Sequence, residues 1–186
     1  MTNVAVFASG SGSNYEAIQQ AINEGTIQAT VKLVVTDKLD AYVIERAKKF
    51  GVEVLALRPK DFADKAAYEA AILAQLRARN IEWLVLAGYM RLVGPTLLGA
   101  YPNRIVNIHP SLLPSFPGKD AIGQAMAHGV KITGVTVHYV DEGMDTGRII
   151  MQRAVDVVDG DREATESKIH AVEHHLYPEV LKYLFN

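Results

Sequence analysis

Five short apolar runs separated by helix-patterned stretches constrain this chain more than any other feature. Val4 to Ala8, Val31 to Thr36, Val52 to Leu57, Trp83 to Ala87 and Ile105 to Ile108 have the length and composition of buried strands. Between them, Tyr15 to Asn23, Ala41 to Phe50 and the Ala/Leu-rich Ala66 to Arg79 are patterned as helices. Strands alternating with helices imply a mostly parallel, three-layer α/β sheet with right-handed crossovers. The rhythm changes after Gly118. A helix is expected over Ala121 to Ala127, then two strands of an antiparallel pair over Ile132 to Val140 and Arg148 to Val157. From about Glu163, Ile169, Val172, Leu176, Val180 and Leu184 recur at helical spacing, predicting a long amphipathic helix kinked at Pro178, which removes a backbone donor. No repeat or linker interrupts the pattern, so residues 1–186 read as one domain.

The most chemically pointed motif is Asn107-Ile108-His109-Pro110. A residue before proline is held extended, and side chains two apart on a strand share a direction. Asn107 and His109 should therefore emerge together at a strand's C-terminal end, where open α/β sheets bind ligands. Two adjacent donors can hold a developing oxyanion. His109 donates from both nitrogens only when protonated, a form that a neighbouring carboxylate favours. The plainer alternative is a histidine bonded to a nearby carbonyl and an asparagine capping a turn. Asp145, in the acidic, glycine-rich stretch Asp141 to Gly147, is the candidate carboxylate; its alternative is a solvated hairpin turn.

Ser9-Gly10-Ser11-Gly12-Ser13-Asn14 joins the first strand to the first helix. Its glycines allow a tight turn, and free N–H groups at the helix start attract an anion. The spacing matches neither a P-loop nor a dinucleotide fingerprint, since Tyr15 stands where a small residue is needed; a terminal phosphate suits the loop better. Asp37 follows the second strand, where a ribose-binding acid can sit. Gly88 to Val93 leaves the fourth strand with Met90, Leu92 and Val93 apolar. The segment serves either as a wall for a flat aromatic ligand, with Arg91 available for a carboxylate, or as a loop folding back into the core. His170-Ala171-Val172-Glu173-His174 fits the H-x-x-E-H zinc-peptidase pattern, but it closes the chain and leaves no room for a third ligand, so a polar helix edge is expected and no metal.

Composition excludes several classes. The chain has no cysteine, so disulfides, thiolate metal sites and a cysteine nucleophile are ruled out. A formal net charge of -2 with no basic run argues against nucleic-acid partners. The N-terminus lacks the pattern of a signal peptide and nothing reaches the length of a membrane span, so a cytoplasmic protein without a membrane partner is expected.

Together these residues resemble the glycinamide ribonucleotide formyltransferase family. The resemblance runs the whole chain and rests on Ser9 to Asn14, Gly88-Tyr89-Met90-Arg91, Asn107 to Pro114, Gly134 to Gly147 and Glu173-His174. It implies a single-domain, Rossmann-like formyltransferase fold, mostly parallel with an antiparallel C-terminal portion and a long C-terminal helix. It further implies transfer of a formyl group from 10-formyltetrahydrofolate to the amine of glycinamide ribonucleotide in purine biosynthesis, by a monomer or homodimer acting on small molecules. By that resemblance Asn107, His109 and Asp145 form the catalytic trio. Gly12, Ser13, Asn14 and Tyr15, with His170 and Glu173, meet the nucleotide. Lys65, Met90 to Val93 (Met90, Arg91, Leu92, Val93), Asn107 and Asp141 to Asp145 (Asp141, Glu142, Gly143, Met144, Asp145) meet the folate. The N-terminal half is thus expected to hold the phosphate and the C-terminal half to contribute the folate pocket. Two residues depart from the family pattern: Lys65 stands for a frequent arginine, and Arg148 for a proline after Thr146-Gly147. The alternatives are a formyltetrahydrofolate hydrolase, whose usual N-terminal regulatory domain is not seen here, a methionyl-tRNA formyltransferase domain, which needs a basic surface, and a non-catalytic Rossmann-type nucleotide-binding module.

Overall fold

The computed structural model describes residues 1–186 as a seven-stranded sheet in the order β3-β2-β1-β4-β5-β6-β7, flanked by six helices. The strands are β1 (Thr2–Phe7), β2 (Ala29–Thr36), β3 (Val54–Ala56), β4 (Trp83–Leu86), β5 (Ile105–His109), β6 (Ile132–Tyr139) and β7 (Ile149–Asp156). The helices are α1 (Ser13–Asn23), α2 (Val43–Lys49), α3 (Lys65–Ala78), α4 (Pro95–Ala100), α5 (Ala121–His128) and α6 (Arg162–Phe185). Pairing is parallel from β3 through β5 and antiparallel for β5–β6 and β6–β7, as the change of rhythm after Gly118 implies.

Strand alternation sorts the core into two halves. Val4, Val6 and Ala8 face one layer with Tyr15, Ile18, Val43, Ile169 and Val180. Ala5 and Phe7 face the other with Tyr68, Ile72, Leu76 and Leu97. Helices α1, α2, α5 and α6 therefore cover one face, and α3 with α4 the other. The parallel strands, covered on both faces, are continuous apolar runs for this reason. Each fully buried aliphatic side chain contributes roughly 1.5–3 kcal/mol.

Side chains cap several helices. Asp64, Asp120 and Asp161 accept from Ala67, Gly123 and Ala164 at the starts of α3, α5 and α6. Helix α4 was not expected from sequence. It starts at Gly94-Pro95, and its orphan N–H groups are taken by the buried carboxylate of Glu69 on α3, which accepts from Gly94 at 2.7 Å and Leu97 at 3.2 Å. Six residues are too few to show periodicity, and the cap is a long-range contact. Pro178 lies inside the unbroken helix α6. No helix is long and apolar enough to cross a membrane.

Two features of this frame position the site. Strand order reverses between β1 and β4, so the loops leaving them diverge and open a crevice at their C-terminal ends. Asn107 and His109 share the α3/α4 face with their β6 partners His138 and Thr136. Over the ends of β5 and β6 that face is covered by loop segments: Leu113 N–H donates to Thr136 Oγ1, and Gly118 N–H to Asp145 Oδ2.

Candidate active site

A cavity of about 850 Å³ occupies this crevice, lined by the Ser9–Asn14 loop, residues 86–93, the end of β5, and the 140–147 and 118–122 segments. The Ser9–Asn14 loop is held by its neighbours. Ser9 N–H donates to the Gly88 carbonyl, Met90 N–H to Ser9 Oγ, Val43 N–H to the Gly10 carbonyl, and Arg46 Nε to the Ser11 carbonyl. Gly12, at φ 76, precedes α1, and a Cβ there would lie 2.4 Å from Val43 Cγ2; only glycine fits. With no side-chain cap, the N–H groups of Asn14 and Tyr15 are left without protein acceptors. Positive helix-end charge and free donors suit an anion.

At the far side of the switch point, Asn107 and His109 project from β5 into the cavity. His109 is buried, with Nε2 2.9 Å from the Phe116 carbonyl. A carbonyl only accepts, so Nε2 carries hydrogen and Nδ1 is the nitrogen left over. Asp145 Oδ2 stands 3.6 Å from that Nδ1, within ion-pair range but beyond a hydrogen bond. Asp145 itself sits at φ 57 and is fixed by the Gly118 N–H at 2.8 Å. The histidine–carbonyl bond of the plainer alternative thus exists alongside the approach to Asp145.

His138 was missed from sequence. It is buried on β6 opposite Asn107, beside a register shift in the β6–β7 ladder that re-aims side chains. Its Nδ1 donates to the Tyr139 carbonyl at 2.8 Å, leaving Nε2 as an acceptor 3.5 Å from Asn107 Nδ2 and 3.8 Å from Asp145 Oδ1. Burial lowers its pKa, and the Tyr139 bond and Asp145 only partly oppose this, so the ring is neutral. An acceptor at Nε2 fixes which end of the Asn107 amide carries hydrogen and leaves the second N–H free. Alternation alone marked His138 as one more strand residue; only the β5–β6 register brings it here.

The structure brings Gly12, Ser13, Asn14, Met90, Arg91, Leu92, Val93, Asp141, Gly143, Met144, Asp145, His170 and Glu173 to this one cavity. Three expected side chains are not brought to it. Tyr15 is buried in the core, its hydroxyl bonded to Gln19, because it shares the inner stripe of α1 with Ile18; only its backbone N–H faces the loop. Lys65 is exposed, its stem beside Gly94, outside the lining. Glu142 is exposed to solvent on the 141–147 loop. Arg91 lines the cavity but is already paired with buried Asp37 at 3.0 Å. Met90 and Leu92 are exposed apolar side chains, 69% and 51% accessible, on the cavity wall. Asp141 organises its loop by accepting from Gly143 N–H and Thr146 Oγ1, and the Thr146 bond holds its carboxyl below the usual range. His170 and His174 turn to different partners, Glu173 and Ser13, and no group of three or more His, Asp or Glu side chains is arranged to hold a metal ion.

Residues 2–181 match the family model described as formyl transferase. Phosphoribosylglycinamide formyltransferase of Bacillus subtilis is 55% identical over 99% of this chain and 95% of that protein. The trifunctional purine biosynthetic protein adenosine-3 of Drosophila melanogaster is 40% identical over 98% of this chain, which spans 14% of that larger protein. The crystal structure of glycinamide ribonucleotide transformylase 1 from Geobacillus kaustophilus superposes with a TM-score of 0.98 at 59% identity, covering all of both chains.

Proposed function

The chain belongs to the phosphoribosylglycinamide formyltransferase family, and we propose that Asn107, His109 and Asp145 carry its formyl transfer from 10-formyltetrahydrofolate to the amine of glycinamide ribonucleotide. The observation that carries this assignment is geometric. Asn107 and His109 project from one face of β5, with Asp145 3.6 Å from His109, in a cavity that joins the anion-suited loop to an apolar wall.

The free N–H groups at the start of α1, with Ser13 and Asn14, take the nucleotide's phosphate, and Glu173 accepts from its hydroxyls. The exposed Met90 and Leu92, with Val93 and the 141–145 segment, cover the folate's flat ring. The amine then attacks the formyl carbon on N10. The carbonyl oxygen gains negative charge and is held by the second N–H of Asn107 and by His109. Because Nε2 of His109 is committed to the Phe116 carbonyl, the donor to this oxygen is Nδ1–H, with the Asp145 carboxylate 3.6 Å away to offset positive charge on the ring. Asp145 also assists the proton's passage from the attacking nitrogen to N10 as the carbon–N10 bond breaks. No bond forms between protein and formyl group. Much of the rate comes from holding two substrates in attack geometry.

The test is incubation of the protein with 10-formyltetrahydrofolate, with and without glycinamide ribonucleotide. Release of tetrahydrofolate is expected only with the nucleotide present. Release independent of the acceptor would instead mark a hydrolase, and no release in either case would leave a binding module.

A further inference from the structure

His174 has no part in the scheme above. His170 and Glu173 line the cavity, whereas His174, one turn from His170, does not. Its half-buried ring lies behind the phosphate loop, with Nε2 3.1 Å from Ser13 Oγ. No other side chain bonds that hydroxyl, while Ser13 N–H donates to Ser11 Oγ. A serine hydroxyl has a single proton. If the proton points at the imidazole, it is lost to any ligand; if the imidazole donates, the hydroxyl is turned outward.

A neutral imidazole can donate or accept, and a phosphate in the cavity selects donation, because the hydroxyl proton then points at the anion. Burial lowers the pKa of His174, aided by the charges of His170, Arg46 and His175 and opposed by Glu173, so the ring is neutral with one N–H to place. Only Ser13 Oγ lies within bonding distance of either nitrogen.

We propose that His174 is a positioning residue for the substrate phosphate: its Nε2–H donates to Ser13 Oγ and directs the Ser13 hydroxyl proton into the cavity. The ring touches neither substrate. This rests on the reading of Ser13 as a phosphate ligand, and the experiment separates the two.

Steady-state kinetics with varied glycinamide ribonucleotide are compared for wild type, Ser13→Ala, His174→Leu, His174→Gln and the Ser13→Ala/His174→Leu double variant. Leucine fills the space without a donor and suits a helix; glutamine keeps an N–H at similar reach. Ser13→Ala should raise KM for the nucleotide about tenfold and His174→Leu about fivefold, the size of one ordinary net hydrogen bond. The double variant should be no worse than Ser13→Ala, and His174→Gln should return close to wild type. KM for the folate and kcat at saturation should stay near wild type throughout, which also reports intact folding. With the phosphate-free glycinamide riboside as acceptor, His174→Leu should match wild type. Additive effects of about 50-fold in the double variant, a glutamine variant as impaired as leucine, or a leucine variant with unchanged KM each overturns the proposal. An unchanged KM in Ser13→Ala overturns the phosphate reading of Ser13 instead.

Discussion

Strand β5 and the 141–147 loop reach the same cavity on very different backbones. Asn107 stands where the strand pairs with both β4 and β6, and His109 where it pairs with β6, which fixes the direction of each side chain. The loop has no ladder. Asp141 holds it internally, the Gly118 N–H pins Asp145 from outside, and Asp145 adopts a left-handed φ of 57°. Gly147 closes it beneath the Tyr139 carbonyl, where a Cβ would come within 1.7 Å. The strand supplies donors that need no reorganisation; the loop supplies a charge and an apolar cover, Met144, on a segment that can adapt to the folate. Chemistry should therefore depend most on the strand, and folate affinity on the loop.

The sharpest way to break that division is to remove one group from each. His109→Ala should lower kcat by about 10³–10⁴-fold while folate still binds, since it deletes an oxyanion donor and a proton-handling group together. Asp145→Asn keeps an oxygen for the Gly118 N–H and removes only the charge; a loss of about 10²-fold is expected, the size of a single electrostatic contribution. Single-turnover rates with both substrates saturating measure the two. Equal losses would mean that the transition state depends on the loop carboxylate as much as on the strand histidine, and a larger loss for Asp145→Asn that the carboxylate dominates.

The same contrast explains what the sequence revealed. Asn107 and His109 were legible because a strand's period of two and the restriction imposed by Pro110 are local. Asp145 was legible as a residue type, yet its 3.6 Å approach to His109 depends on the cover of β5 by the 110–120 segment. His138 carried no local signal, because its meeting with Asn107 is a matter of register. Tyr15 misled in the opposite way. Its place beside Ser13 and Asn14 suggested a ligand contact, but its side chain joins Ile18 and Gln19 in one buried stripe, a readable spacing, and only its backbone N–H is left to the loop. The strand order's reversal at β1/β4, which creates the crevice, follows from pairing that no local pattern encodes.

A second prediction probes the loop alone. Asp141→Ala removes the acceptor of both Gly143 N–H and Thr146 Oγ1, so the loop must be ordered by the ligand. Two hydrogen bonds of about 1 kcal/mol each, one of them recoverable on binding, imply a KM for folate raised about fivefold with kcat changed less than about threefold. A kcat loss comparable to that of Asp145→Asn would show that loop order serves the chemistry rather than the binding.

The smallest effect extends the comparison to a helix-borne pair. On α6, His170 Nδ1 lies 2.8 Å from Glu173 Oε1, and that hydrogen bond raises the His170 pKa, with burial opposing and the charges of Glu173 and Glu166 assisting. A group whose pKa is raised on folding stabilises fully below its unfolded value and loses that contribution as pH rises through its folded value. His170 is 53% exposed, so solvent screening limits the pair to under about 0.5 kcal/mol. Denaturation of wild type and His170→Gln should therefore differ more near pH ~6 than near pH ~9, with wild type the more stable at the lower value. A difference that grows with pH would mean that Glu173 turns away from His170 in solution. Only Oε1 accepts from His170, so Oε2 can meet the nucleotide's hydroxyls with the pair intact, and the pair's contribution is to hold the carboxylate in place before any ligand arrives.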